Sequence, residues 1–157
     1  MKRTGILHHE LSTVISSLGH LDLVVISDAG LPVAPGVQRI ELALGPDLPT
    51  VIQVLELLLH EAIFEKLTIA EEQLKASPRY HTRLLEVADR NAIPLEPVPH
   101  MTGFKVLASQ AKVHIRTGDF TPYSNLILTA GWIGRPTQPD GAGDRGFGVA
   151  DSWKGER

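Results

Sequence analysis

The sequence predicts an α/β fold: a single domain with a largely parallel sheet flanked by helices. Two observations carry this. Apolar, β-branched-rich strand segments alternate with amphipathic helices along most of the chain. At 157 residues the chain is long enough to bury one real core. A third observation sets the boundary: after Trp132 the sequence turns rich in Gly, Pro and charge, with almost no periodic apolar residues. The expected organisation is therefore a domain over residues 1–133 and a flexible C-terminal extension over 134–157.

The elements follow in order. Leu11, Val14, Ile15 and Leu18 fall at i, i+3, i+4 and i+7, which predicts a helix over residues 10–18 with Gly19 as its stop. LDLVVIS is a continuous apolar run bounded by turn residues, the pattern of a strand buried on both faces. GLPVAPG reads as a loop and RIELAL as a second strand. Pro49 and Thr50 open a strongly apolar helix over 51–62. It is apolar around more of its circumference than a surface helix needs, so part of it is expected to face a neighbouring chain. KLTIAEE is a third strand. Ser77-Pro78 starts a helix running to about residue 90, with the serine as N-cap. LEPV, carrying one proline and preceded by another, reads as an edge strand. Thr102 is the expected cap of a short helix ending near 108. AKVHIRT and NLILTAG are the last strands, joined by GDFTPYS.

Composition narrows the function classes. The net charge is −3 and there is no basic patch, so neither nucleic acid nor an anionic membrane surface has an electrostatic footprint to meet. Aromatics make up 5%, which argues against a base-stacking surface. No apolar run approaches the roughly 20 residues of a membrane-spanning helix, and MKRTGILHHEL lacks the apolar core of a signal peptide. The absence of cysteine excludes disulfides, thiolate catalysis and sulfur-bound zinc. A cytoplasmic protein is the expectation.

SLGHLDLVVISDAGLPV places His20 and Asp22 before one apolar strand and Asp28 after it. In open α/β sheets ligands sit at the carboxyl ends of strands, where Asp28 lies, followed by the small Ala29 and Gly30. Asp28 either meets a ligand or caps the following turn. The two ends of such a strand are roughly 20 Å apart. His20 and Asp28 therefore share a site only if the chain bends near Gly19 or a second chain contributes. His100, in a loop straight after an edge strand, has both a structural and a functional reading. Tyr123 and Asn125 bracket a turn and offer a phenol and an amide suited to sugar hydroxyls, or they simply form a proline-stabilised turn. His8 and His9 are adjacent at a helix start, where side chains diverge, so a capping or solvated role is expected. His60 and His81 read as surface residues and His114 as partly buried. No His pair has helical zinc spacing and no Gly-rich phosphate loop occurs, so neither a helical zinc site nor a nucleotide cofactor is indicated.

Three blocks together resemble the D-ribose pyranase family: residues 1–44 with LGHLD and SDAGLP, then LEPVPHMTGFK, then IRTGDFTPYSNLILTAGW. The resemblance spans about residues 1–133 in the right order and spacing. It implies interconversion of the pyranose and furanose forms of D-ribose without cofactor or metal, with His20 as proton donor. Asp28, His100, Tyr123, Ser124 and Asn125 fall at the sugar-binding positions. It also implies pentameric rings stacked as decamers, with sites near subunit contacts. Leu21 stands where the family commonly has a small polar residue, and SDAG and YSN replace the commoner ADAG and YAN. The rival readings are an L-fucose-type mutarotase, whose pattern is less well matched by LGHLD and TPYSN, and a non-catalytic sugar-binding partner of a transporter.

Overall fold

A six-stranded sheet with strand order β2-β5-β1-β6-β3-β4 organises the molecule, and the computed structural model describes residues 3–132 of it. The strands are β1 (Leu23–Ser27), β2 (Gln38–Glu41), β3 (Phe64–Ala70), β4 (Leu95–Val98), β5 (Val113–Arg116) and β6 (Leu126–Ala130). The helices are α1 (His9–Ser16), α2 (Val51–Glu61), α3 (Gln73–Ala76), α4 (Pro78–Arg90) and α5 (Lys105–Ala108). The expected extension over 134–157 lies outside the described residues.

The sheet is mixed. β1–β5, β2–β5 and β3–β4 pair parallel, while β6 lies antiparallel to both β1 and β3. The reason is chain length. Parallel neighbours need a crossover of about a dozen residues or more. Only residues 117–125 separate β5 from β6, so the chain reverses and β6 enters the sheet antiparallel between β1 and β3. Consequently the carboxyl ends of β1 to β5 share one rim with the start of β6.

Strand alternation splits the core in two. Val24 and Ile26 of β1 join the larger cluster with Ile40, Leu55, Leu58, Leu67 and Leu84. Val25 points to the other face, with Leu31, Phe104, Ala108 and Ile127. Each such fully buried aliphatic side chain is worth roughly 1.5–3 kcal/mol of transfer free energy.

The helix starts are hydrogen-bonded as their sequences suggest, with two exceptions. His8 caps α1 by accepting from the Leu11 N–H at 3.2 Å. Thr50 and Gln53 form a capping box at α2, and the buried Asp119 carboxylate accepts from the Val51 N–H at 3.0 Å. Ser77 is not a side-chain cap of α4: its hydroxyl donates instead to the Pro122 carbonyl at 2.7 Å. Nor does Thr102 cap a helix. A π-helical turn over His100–Phe104 runs directly into α5, opened by the Pro99 carbonyl, which accepts from Gly103 and Phe104. Val51, Ile52, Val54, Leu55 and Leu58 of α2 are buried in the chain's own core, while Leu57 on the same helix is exposed and Leu59 half-buried.

Candidate functional site

At the rim where the parallel strands end, Asp28 follows β1 and Asn125 precedes β6. The antiparallel register pairs Ile26 with Leu126, which sets these two residues side by side. The Asp28 N–H donates to Asn125 Oδ1 at 2.8 Å, and Asn125 Nδ2 donates back to Asp28 Oδ2 at 3.0 Å. Asp28 Oδ1 accepts from the N–H groups of Gly30 and Leu31, both at 2.8 Å. The carboxylate thus closes its own turn and still borders open space. The turn-capping reading of Asp28 holds, and the geometry leaves room for a ligand beside it.

That space is a cleft of about 300 Å³ lined by Asp28, Gly30, Leu31, Pro32, His100, Lys105, Pro122, Tyr123 and Asn125. His100 arrives from β4. Its N–H donates to the Glu72 carboxylate, at 3.1 Å to Oε2. Its ring stands edge-on to Tyr123, with centroids 5.1 Å apart. The His100 Nε2 is buried without a hydrogen-bond partner among the described residues. A buried polar atom left unpaired is costly, and one facing a cleft marks where a ligand hydroxyl fits. Burial pushes the His100 imidazole below its ordinary value, with the Lys105 ammonium adding to the effect and Glu72 and Asp28 opposing it. The ring is therefore neutral at neutral pH and can either donate or accept.

The turn carrying Tyr123 is held from below. Tyr123 has φ 56, in the left-handed region that non-glycine residues seldom occupy. Three successive carbonyls are anchored there: Ser77 donates to Pro122 O, Gln73 to Tyr123 O and Tyr80 to Ser124 O, at 2.7, 2.7 and 2.8 Å. Ser124 itself is fully buried and does not line the cleft; its hydroxyl has no partner among the described residues.

Of the six residues expected at a site, Asp28, His100, Tyr123 and Asn125 converge on this cleft. Ser124 lies beneath it. His20 does not reach it, because it precedes β1 at the opposite end of the sheet, roughly 20 Å away by strand rise. There its Nε2 meets Glu65 Oε2 at 3.1 Å. Lys105 is a cleft residue that sequence reasoning missed. A single lysine on a short amphipathic helix carries no signal distinguishing it from a solvated one. Among the described residues no group of His, Asp and Glu is placed to hold a metal.

A family model described as the RbsD / FucU transport protein family matches residues 1–133. The chain belongs to that family. It is 41% identical over 139 residues to a D-ribose pyranase of Maridesulfovibrio salexigens, covering 85% of this chain and 99% of that one. With a D-ribose pyranase of Pseudomonas entomophila it shares 44% over 131 residues, covering 83% and 98%. The solved structure of Bacillus subtilis RbsD complexed with D-ribose superposes with a TM-score of 0.79 at 40% identity, covering 85% and 99%. FucU from Bifidobacterium longum is more distant, at 23% identity and a TM-score of 0.65 over 79% and 94%. That likeness shows the family fold alone.

Within this family the described residues present a two-ended chain: a polar cleft at one rim of the sheet and an exposed histidine–carboxylate pair at the other. No described helix is long and apolar enough to cross a membrane.

Proposed function

We propose that this protein is a D-ribose pyranase, interconverting the pyranose and furanose forms of D-ribose by acid–base ring opening and closure. The observation that carries the reading is the cleft itself, where Asp28, Asn125, Tyr123 and the unpaired His100 Nε2 converge. Pyranase relatives at 41–44% identity over most of the chain, and a ribose-bound structural neighbour, supply the sugar.

In this reading the sugar hydroxyls donate to the Asp28 carboxylate and exchange hydrogen bonds with the Asn125 amide and neutral His100, while Tyr123 covers the ring. His20 of a neighbouring copy moves the proton. A proton leaves the anomeric hydroxyl as the bond from C1 to the ring oxygen breaks, and that oxygen is protonated. The open aldehyde then closes through the 4-hydroxyl, which gives up its proton while the carbonyl oxygen regains one. Nothing is oxidised or reduced, and an imidazole, which both gives and takes a proton, suits both transfers.

The copies join head to tail. Exposed Leu21, Ile63 and Trp132 gather near the His20 end, and Met101, Val106 and Phe120 near the cleft end. A heterologous contact of unlike ends closes into a ring when its rotation allows. The ring is a pentamer, stacked as a decamer, acting in the cytoplasm.

Saturation-transfer NMR on equilibrated ribose, beside L-fucose, tests the activity. Accelerated exchange between ribose pyranose and furanose signals is expected. Faster exchange of fucose anomers alone would make the protein a mutarotase, and acceleration of neither would leave a sugar-binding module.

A further inference from the structure

At the end of the sheet remote from the cleft, β3 contains a bulge. Phe64 pairs with Ala130 and Lys66 with Thr129, leaving Glu65 as the extra residue without a partner in β6. Bulges turn one side chain out of the pleat and recur beside active sites. This one turns Glu65 toward His20. Its carboxylate Oε2 lies 3.1 Å from His20 Nε2.

The surroundings are built to admit that bulge. Gly131 donates to the Ile63 carbonyl at 2.9 Å. A Cβ at Gly131 would lie 2.9 Å from Ile63 Cγ2 and 3.3 Å from the Glu65 backbone N, so any larger residue would displace the bulged segment. The backbone bearing His20 is fixed as well. Asp22 Oδ2 accepts from the Gly19 N–H at 2.8 Å and from Lys112 Nζ at 2.7 Å, and Lys112 also donates to the Ser17 carbonyl. The Leu21 N–H is held by the Ala130 carbonyl at 2.9 Å. With its backbone clamped, the His20 ring retains only side-chain rotation and tautomer exchange, and Glu65 meets both.

We propose that Glu65 is a positioning residue for His20, fixing the imidazole's aim and its tautomer for proton transfer to a sugar bound by the neighbouring copy. An ionised carboxylate only accepts hydrogen bonds, so the shared proton sits on Nε2. The Nδ1 lone pair makes no hydrogen bond among the described residues and is the atom left to exchange a proton with substrate. Stability is a poor explanation for the pair, since both side chains are nearly half exposed, at 48% and 42%. The inference rests on the reading of His20 as the proton-transferring group.

The test compares Glu65→Ala, Glu65→Gln and His20→Ala by ribose exchange at varied ribose concentration, with light scattering for assembly and ¹⁵N imidazole shifts of His20. Glu65→Ala is expected to lower kcat by about tenfold, short of the ~10²–10⁴-fold loss expected for His20→Ala. KM should change little, and the ring nitrogens should move from distinct Nε2–H and bare Nδ1 shifts toward the average of two exchanging tautomers. Glu65→Gln keeps an oxygen that accepts the same hydrogen bond and should fall between Glu65→Ala and wild type. A Glu65→Ala protein with wild-type kcat beside an inactive His20→Ala would overturn this inference and leave the proposed function standing. So would a kcat loss that tracks disassembly with His20 shifts unchanged. A fully active His20→Ala would overturn this inference together with the proton-transfer role of His20 on which it rests, and leave the ribose activity itself standing.

Discussion

Asp28 and Asn125 are joined by two hydrogen bonds of opposite sense, the Asp28 N–H donating to the amide oxygen and the amide nitrogen donating back to the carboxylate. The second leaves the carboxylate fixed in orientation at the mouth of the cleft. Asn125→Ala removes both partners at once and strands the Asp28 N–H. Ribose affinity should fall by about 1–3 kcal/mol, the range for an unpaired buried polar group, and calorimetric titration reads it directly. Unchanged affinity would show that the pair holds the loop and nothing else.

Tyr80 supports the site from below. Its hydroxyl is buried and donates to the Ser124 carbonyl at 2.8 Å. Burial, more than the nearby Asp119 charge, pushes the phenol well above its ordinary value. Tyr80→Phe leaves that carbonyl unpaired, so unfolding in urea should show a loss of about 1–3 kcal/mol. Because the carbonyl belongs to the turn after Tyr123, KM for ribose should rise as well. A stability loss with KM unchanged would separate the turn's conformation from binding.

A second histidine gives the fold a pH dependence. His114 is buried in β5, with Nε2 2.7 Å from Ser27 Oγ. Burial first, then the charges of Arg39 and Arg116, lowers it to about 4. The unfolded chain, with its histidine near ~6.5, therefore binds more protons than the folded one between these values. The stabilisation is complete above about pH 6.5 and is lost as pH falls toward about 4, a change of roughly 3 kcal/mol. His114→Gln retains a donor for Ser27 without titrating in this range. Melting curves from pH 7 to about 4 should fall less steeply for the variant; parallel curves would mean His114 does not titrate in this way.

How much of this was legible in the sequence depended on whether the signal was local. The first strand is an unbroken apolar run and α2 a strongly apolar helix, both with strong end signals, and the sequence places both nearly to the residue. The start of β3 was missed, because Phe64 and Glu65 continue the helix before them in polarity and the bulge at Glu65 breaks strand alternation. NLILTAG reads as a strand, but its antiparallel direction is not legible, since strand direction depends on the loop before it rather than on its own residues. Four of the cleft residues were readable as polar groups beside Gly and Pro in loops after strands. Their anchors Gln73, Ser77 and Tyr80 were not: Ser77 reads as a helix cap, Gln73 and Tyr80 carry no local signal, and only the tertiary fold turns all three toward residues 122–124. The role proposed for His20 rests on resemblance alone, and its distance from Asp28 follows directly from the length of β1.

That separation makes the shared site the central claim, and complementation between inactive chains measures it most directly. One chain carries His20→Ala; the other carries Asp28→Asn with Asn125→Ala. Each alone should be inactive in ribose exchange while folded and assembled. Co-expressed, the two should form mixed rings in which about a quarter of the contacts join an intact His20 end to an intact cleft, because unlike ends meet at a heterologous interface. Exchange activity should return to about that fraction of wild type. Mixed rings of verified composition that remain inactive would contradict a site built from two copies.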